Sequence, residues 1–244
     1  MAKNIKKRSA SHIYFGVNKL TGELKHISEV PSGQKCNCIC AACLQPFEAR
    51  KGTQRRHHFA HVSNYECMYA SEVAIYKAFA EALKQSGFLA LPPVMLRFPA
   101  WNDPELLQET RSLKIDSVAF ECEPLSYPPL LRVTMQGTPL RILLDFDRYY
   151  DDDDRVKLAD EAEAEDYSLL LISMPKIDQD TEFTPDRLQS VLQDNDRTEW
   201  VFSRLEEQWK QKYYAVAVSP PEHGTGNLCP ICLLYTSDAA DDLL

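Results

Sequence analysis

Cys40 and Cys43 form a Cys-x2-Cys pair, and His58 and His61 stand two residues apart after a short linker containing Gly52. A β-turn between the cysteines would aim both sulfurs at one point, and two thiolates with two imidazoles suit a tetrahedral zinc ion. The surrounding stretch, Ser11 to about Cys67, carries five of the eight Cys and five of the six His, so the ligands belong to a separate small module. In a reducing cytosol this density reads as metal rather than disulfides. Cys36, Cys38, His57 and Cys67 are near enough to compete as ligands. The alternative for the whole set is buried thiols and surface imidazoles with no metal. A closed four-ligand site is structural, since its binding energy is folding energy for a module with little core, and nothing marks an open catalytic position.

The elements that must position these residues begin with short strand-like runs such as His12–Val17. From Ala70 the character changes. Ser71 is placed to cap a helix whose Ala74, Ile75, Ala78, Phe79, Ala82 and Leu83 recur at helical spacing, and Gly87 ends it. A loop rich in Pro and apolar residues is expected to about Thr110. Three strands follow, Leu113–Glu121, Leu130–Met135 and Leu140–Tyr149, then a helix over Asp154–Asp166 and a buried strand over Tyr167–Ile172. The predicted order is helix, three strands, helix, strand. Thr184 and Pro185 open a further helix to about Leu192, and Ser203–Tyr213 forms the last.

Composition sets limits on function. With 44% hydrophobic and 26% charged residues the chain resembles an ordinary soluble domain, and no apolar run approaches the ~18 residues that span a bilayer. Basic Met1–Arg8 is followed by no apolar signal core, so a cytoplasmic protein without membrane contact is expected. A net charge of −9 excludes coating of nucleic acid by electrostatics alone. Contact with DNA would be local, at Lys3, Lys6, Lys7 and Arg8 or at Arg50, Lys51, Arg55 and Arg56, unless these are ordinary solvated faces.

Cys36-Asn-Cys38-Ile-Cys40-Ala-Ala-Cys43, Ala49-Arg-Lys-Gly52, His57-His-Phe-Ala-His61, then Cys67 and Glu72 resemble the N-terminal half of the competence protein CoiA-like family. The resemblance covers roughly Ser32 to Ile172 and weakens in its second half. It implies an α/β fold, a restriction-endonuclease-like mixed sheet flanked by helices, of the PD-(D/E)XK nuclease kind, with a small N-terminal zinc-binding module. It also implies DNA processing, with single-stranded DNA among the expected partners. Glu72 matches a family Glu, Tyr76 stands where the family has His, and Asp116 in Ile115-Asp-Ser-Val118 maps to a family Asp.

Such a nuclease needs carboxylates on adjacent strands to hold Mg2+ and a nearby Lys or Gln to orient water. In the gapless register Leu130 and Leu143 occupy the two acid positions, which leaves a nuclease fold with an eroded site. A shifted register would use Asp145 with Glu72 and Asp116 as catalytic acids and Lys157 at the following helix, and would restore a Mg2+ site. Leu143, Asp145 and Asp147 share one strand face, and the competing reading makes both Asp polar residues on the solvated side of an edge strand. Asp151 to Asp154 read as a solvated turn and N-cap, with Asp153 or Asp154 favoured by the helix dipole. Trp101, Trp200 and Trp209 read as core or seam residues.

The expected organisation is a zinc-knuckle module over 1–69, a nuclease or pseudonuclease domain over 70–213 and a tail over 214–244. Cys232-Leu-Leu-Tyr-Thr-Ser-Asp-Ala-Ala-Asp241 looks like a translated sequencing adapter, so 232–244 is read as an artefact; the alternative is a natural acidic tail. Two functions compete: a DNA-processing protein that binds or cleaves DNA, and a catalytically silent, zinc-stabilised adaptor for nucleic acid or protein. A third has no nucleic-acid role.

Overall fold

The computed structural model describes residues 12–63, 67–98, 103–124, 127–146, 150–177 and 181–218. Met1–Arg8, Trp101, Asp147 and the tail from 219 onward lie outside them, so the expectations for those residues do too. Strands β1 (Phe15–Asn18), β2 (Leu24–His26) and β3 (Cys38–Ile39) form an antiparallel sheet in the order β2-β1-β3. Strands β4 (Phe47–Arg50) and β5 (His58–His61) form a hairpin. A bridge between Ile13 and Phe59 joins the two. The close crossing requires Gly16, where an added Cβ would sit 3.2 Å from Cys38 Cβ and from the Phe47 ring.

Helix α1 (Ala70–Ser86) is buried on nearly every side through its first turns, as expected of a helix whose small and apolar residues leave no polar stripe. It packs against β1 and, beyond it in the chain, against the strands Ser117–Glu121 and Phe88–Leu91 and the helix Pro185–Gln193. Gly87 ends it at φ +67°, with its N–H donating to Leu83 O. The expected cap is corrected: Tyr69 holds the N-cap position, and the Ser71 hydroxyl donates instead to His12 O at 3.4 Å, tying helix to module.

The expected loop after α1 contains strands. β6 (Phe88–Leu91), β7 (Val94–Leu96), β8 (Glu105–Gln108) and β9 (Arg111–Lys114) pair as β6-β9 and β7-β8. Pro92 and Pro93 separate β6 from β7 because neither offers an N–H to a ladder, which hid this extended hairpin in the sequence. The expected strand Leu113–Glu121 is split. Ile115 N–H bonds to Gly87 O and Asp116 N–H to Thr134 O, both at 2.8 Å, so the chain leaves one ladder for the next at that point.

The main sheet runs β10-β11-β12-β13-β14, from β10 (Ser117–Glu121), β11 (Leu130–Met135), β12 (Thr138–Phe146), β13 (Ser168–Met174) and β14 (Thr198–Phe202). Only β12 and β13 are parallel, and α2 (Asp152–Ala164) supplies the crossover that parallel neighbours need. Asp151 caps α2, its Oδ1 accepting from Asp154 N–H at 3.0 Å, and Asp153 and Asp154 stand in the first turn, where the helix dipole favours them. Thr184 caps α3 (Pro185–Gln193), and α4 (Arg204–Val218) closes the described chain. The protein is thus mixed α/β, with helix, three antiparallel strands, helix and parallel strand in the predicted succession. Two apolar clusters cover the sheet. The larger joins Ile142, Leu144 and Phe146 to α1 and to Phe15, Phe47 and Phe59 of the module, and the smaller joins Leu143, Leu169 and Leu171 to Ala162 of α2. Among the described residues no helix is long and apolar enough to cross a membrane.

Candidate metal centre

Cys40 leaves β3 into a tight turn. Its N–H donates to Gln45 O at 2.9 Å, its carbonyl accepts from Leu44 N–H at 3.0 Å, and Leu44 adopts φ +61° to close the loop. The Ala42 N–H points at Cys40 Sγ, 3.4 Å away, which stabilises sulfur as a thiolate. His61 ends β5 opposite Phe47, whose ring lies edge-on to the imidazole at 4.8 Å and fixes its plane. That orientation sets His61 Nε2 3.2 Å from Cys43 Sγ. Cys67 enters from the chain just before α1, its carbonyl accepting from Ala70 N–H.

The ligand atoms of Cys40, Cys43, His61 and Cys67 all lie within 4.8 Å of one another. Tetrahedral zinc with Zn–S of about 2.3 Å sets its sulfurs about 3.8 Å apart, so small adjustments would bring four ligands to one ion. Three sulfurs and one nitrogen are a donor set consistent with zinc, and the residues would hold a metal as a closed, structural site. Electrostatics agree. The Cys67 thiol is pushed down to about 6, first because the Cys40 thiol donates to it, while Cys40 is driven up by the same bond and by burial. Such a cluster already holds thiolate character that a cation would complete. Burial lowers His61, which keeps its imidazole neutral and able to ligate.

Cys67 thus stands in the group where His58 was expected. His58 and His61 are three apart on a strand, and odd spacings put side chains on opposite faces. His61 is buried, whereas His58 turns to Arg56 O, 2.9 Å from its Nδ1, and to the His12 ring at 4.7 Å. Cys36 and Cys38 are buried thiols whose sulfurs contact the carbonyls of Phe47 and Cys36. Of the competing ligands Cys36, Cys38, His57 and Cys67, it is Cys67, six residues after His61, that the fold brings into the group.

Residues 23–70 match the family model for the competence protein CoiA, N-terminal domain. All four grouped residues fall inside that CoiA-type segment. No curated protein and no solved structure matches the chain.

The candidate catalytic residues stand on α1, at the bend between β9 and β10, on β12 and on α2. Glu72 is buried on α1, close enough to Cys67 to raise the thiol's pKa. Asp116 is exposed at the bend between β9 and β10, where its Oδ2 accepts from Gly137 N–H at 3.0 Å and braces the β11–β12 turn. Lys157 is exposed on α2. Asp145 is 4% exposed on β12, an interior strand of the sheet, so the reading that placed it on the solvated side of an edge is corrected. It shares the α2-facing side with Leu143 and interacts with Arg155, whose guanidinium is held charged first by its hydrogen bond to Glu199 and also by Asp145. Among the described residues Cys40, Cys43, His61 and Cys67 form the one such group of three or more, and the carboxylates do not form another.

One residue the sequence marked only as a departure has a definite role. The Tyr76 hydroxyl accepts from Leu144 N–H at 2.7 Å and donates to Leu144 O at 3.3 Å, occupying the β12 backbone where β11 pairing has stopped at Ile142.

Proposed function

We propose that this is a CoiA-like, competence-related DNA-handling protein, a zinc-stapled module over residues 1–69 carried on a restriction-endonuclease-like domain over 70–213, and that it binds DNA without appreciable Mg2+-dependent cleavage. The observation that carries the reading is the coincidence of the CoiA N-terminal match with the Cys40, Cys43, His61 and Cys67 group. The succession of helix, three strands, helix and strand around a parallel β12–β13 pair supports the nuclease-type fold. Reduced thiols and a metal suit the cytoplasm.

The silent-site reading rests on Leu130 and Leu143. Leu143 packs with Tyr150, Leu169 and Leu171 beneath α2, where a carboxylate would lose its hydration with no hard cation to compensate. Asp145, one step along, faces the guanidinium of Arg155, which it shares with Glu199, so a cation already stands beside it. Without a Lewis acid the several kcal/mol a metal gives to phosphoryl chemistry are missing. For binding, Arg55 and Arg56 are exposed on the β4–β5 connection, beside Lys51, which donates to Ser28 O and Val30 O, and Arg50, which pairs with Glu48.

The test measures binding and cleavage of single- and double-stranded DNA with Mg2+ and Mn2+, for the protein and for Arg55→Ala/Arg56→Ala, Asp145→Ala and Glu72→Ala. Salt-sensitive binding that weakens in the arginine variant, with no cleavage, is expected. Cleavage that vanishes in Asp145→Ala would establish the shifted register and an active enzyme. Absence of binding at low salt would leave an adaptor for protein partners.

A further inference from the structure

A cavity of about 160 Å³ lies between the β6–β9 and β7–β8 ladders and the start of α4, at the end of β12 and β13 where Leu140 and Ser168 pair. Asp145 is five residues along β12, about 17 Å away at strand rise, so the cavity is separate from the candidate catalytic acids. Its walls include apolar Leu91, Val94, Leu113 and Met135, and two arginines, Arg111 and Arg204. No Asp or Glu lines it, although the chain carries nine more acidic than basic residues.

The two arginines differ. Arg204 forms a two-point ion pair with Asp166, with 2.9 Å contacts from Nε and from the terminal nitrogen. Arg111 has no counter-ion among the described residues, and its Nε is buried without a hydrogen-bond partner. A guanidinium N–H buried in that state costs free energy unless something accepts its proton. Desolvation alone accounts for the lowered pKa of Arg111. The start of α4 adds to the positive field. Ser168 Oγ accepts the Arg204 N–H at 3.2 Å and Ser203 Oγ the Glu206 N–H at 3.4 Å, whereas the Leu205 N–H between them takes no acceptor among the described residues. Glu206 and Glu207 in that first turn also complement the helix end, but neither lines the cavity.

We propose that this cavity binds a small oxyanion, a phosphate or carboxylate group carried on a compact apolar body, with Arg111 as its charged partner and the Leu205 N–H as a further donor. A planar guanidinium fork suits either oxyanion. The size sets the body: a cavity of roughly 150 Å³ holds a benzene ring, which is too little for a nucleotide.

Titration of the full-length protein with phenyl phosphate, benzoate, inorganic phosphate, benzyl alcohol and benzylamine tests this, read by calorimetry and by thermal shift. Phenyl phosphate or benzoate is expected to bind and raise the melting temperature by mass action, and the stronger of the two identifies the oxyanion. The neutral and cationic analogues are expected to have no effect. Arg111→Gln should weaken the anion about tenfold or more, and Thr138→Glu, which adds a carboxylate to the lining, should do the same without removing the arginine. Arg132→Gln, at an exposed pair with Glu121, should leave binding unchanged. No binding of any anion by the unsubstituted protein, or equal binding in Arg111→Gln, overturns the site. Binding of a 5′-phosphorylated oligonucleotide while the small anions fail also overturns it.

Discussion

Cys67 and His58 divide the metal question at the level of single residues. Because strand β5 sends His58 and His61 to opposite faces, the group needs Cys67, delivered by the chain entering α1. The protein is expected to hold one zinc per chain, lost in Cys40→Ser and Cys67→Ser and retained in His58→Ala, as read by metal analysis. Loss in His58→Ala with retention in Cys67→Ser would reverse the assignment. Tyr76 makes a second residue-scale prediction. Tyr76→Phe removes the hydroxyl that serves both Leu144 N–H and O and leaves two buried backbone groups unpaired. A loss of about 1–3 kcal/mol in denaturant unfolding is expected; a change under a few tenths would show that water replaces the hydroxyl.

Among the elements, the turn after β2 joins sequence-local capping to pH. His26 Nδ1 lies 2.8 Å from Ser28 Oγ and accepts from Ser28 N–H, and Glu29 reaches back to the His26 N–H at 2.8 Å. Burial lowers the His26 pKa and Lys51 lowers it further, against the opposing pull of Glu182, Glu29 and the Phe183 backbone. A histidine depressed in the folded state takes up its proton more readily when unfolded. Stability therefore rises with pH between the lowered value and about 6.5, and is lost as pH falls through that window. Melting temperatures from pH 5 to 8 should show this slope, reduced in His26→Gln; an unchanged slope would assign it to other groups. His12, lowered first by burial and then by His58, Arg56 and Arg55, contributes in the same direction.

For the whole molecule, the apolar cluster that includes Phe15, Phe47 and Phe59 continues through α1 to Leu144 and Ile172 of the main sheet. The change of composition near residue 69 thus falls within one packed core. Removing the metal with a chelator is expected to lower the temperature of a single unfolding transition, since metal binding there contributes folding energy to everything packed on α1. Two separate transitions, the earlier one alone sensitive to chelator, would show that the module melts independently.

Local chemistry made much of this protein legible in its sequence. Gly87 ends α1 because a left-handed residue is cheapest as glycine, Thr184-Pro185 opens α3, and the apolar run expected over Tyr167–Ile172 is a buried strand, Ser168–Met174, beside β12. Cys40, Cys43 and His61 were recognisable from type and spacing. The tertiary structure decided what spacing does not encode. It brought Cys67 to the sulfurs, since a ligand contributed by the approach to a helix has no fixed offset from a hairpin. It buried Asp145 between strands and α2, because one face of β12 is covered by an element that follows it in the chain. It paired β6 to β9 across interrupting prolines, and it left Arg111 facing a cavity without a carboxylate, since the counter-charges of a chain are assigned only when its surfaces close on one another.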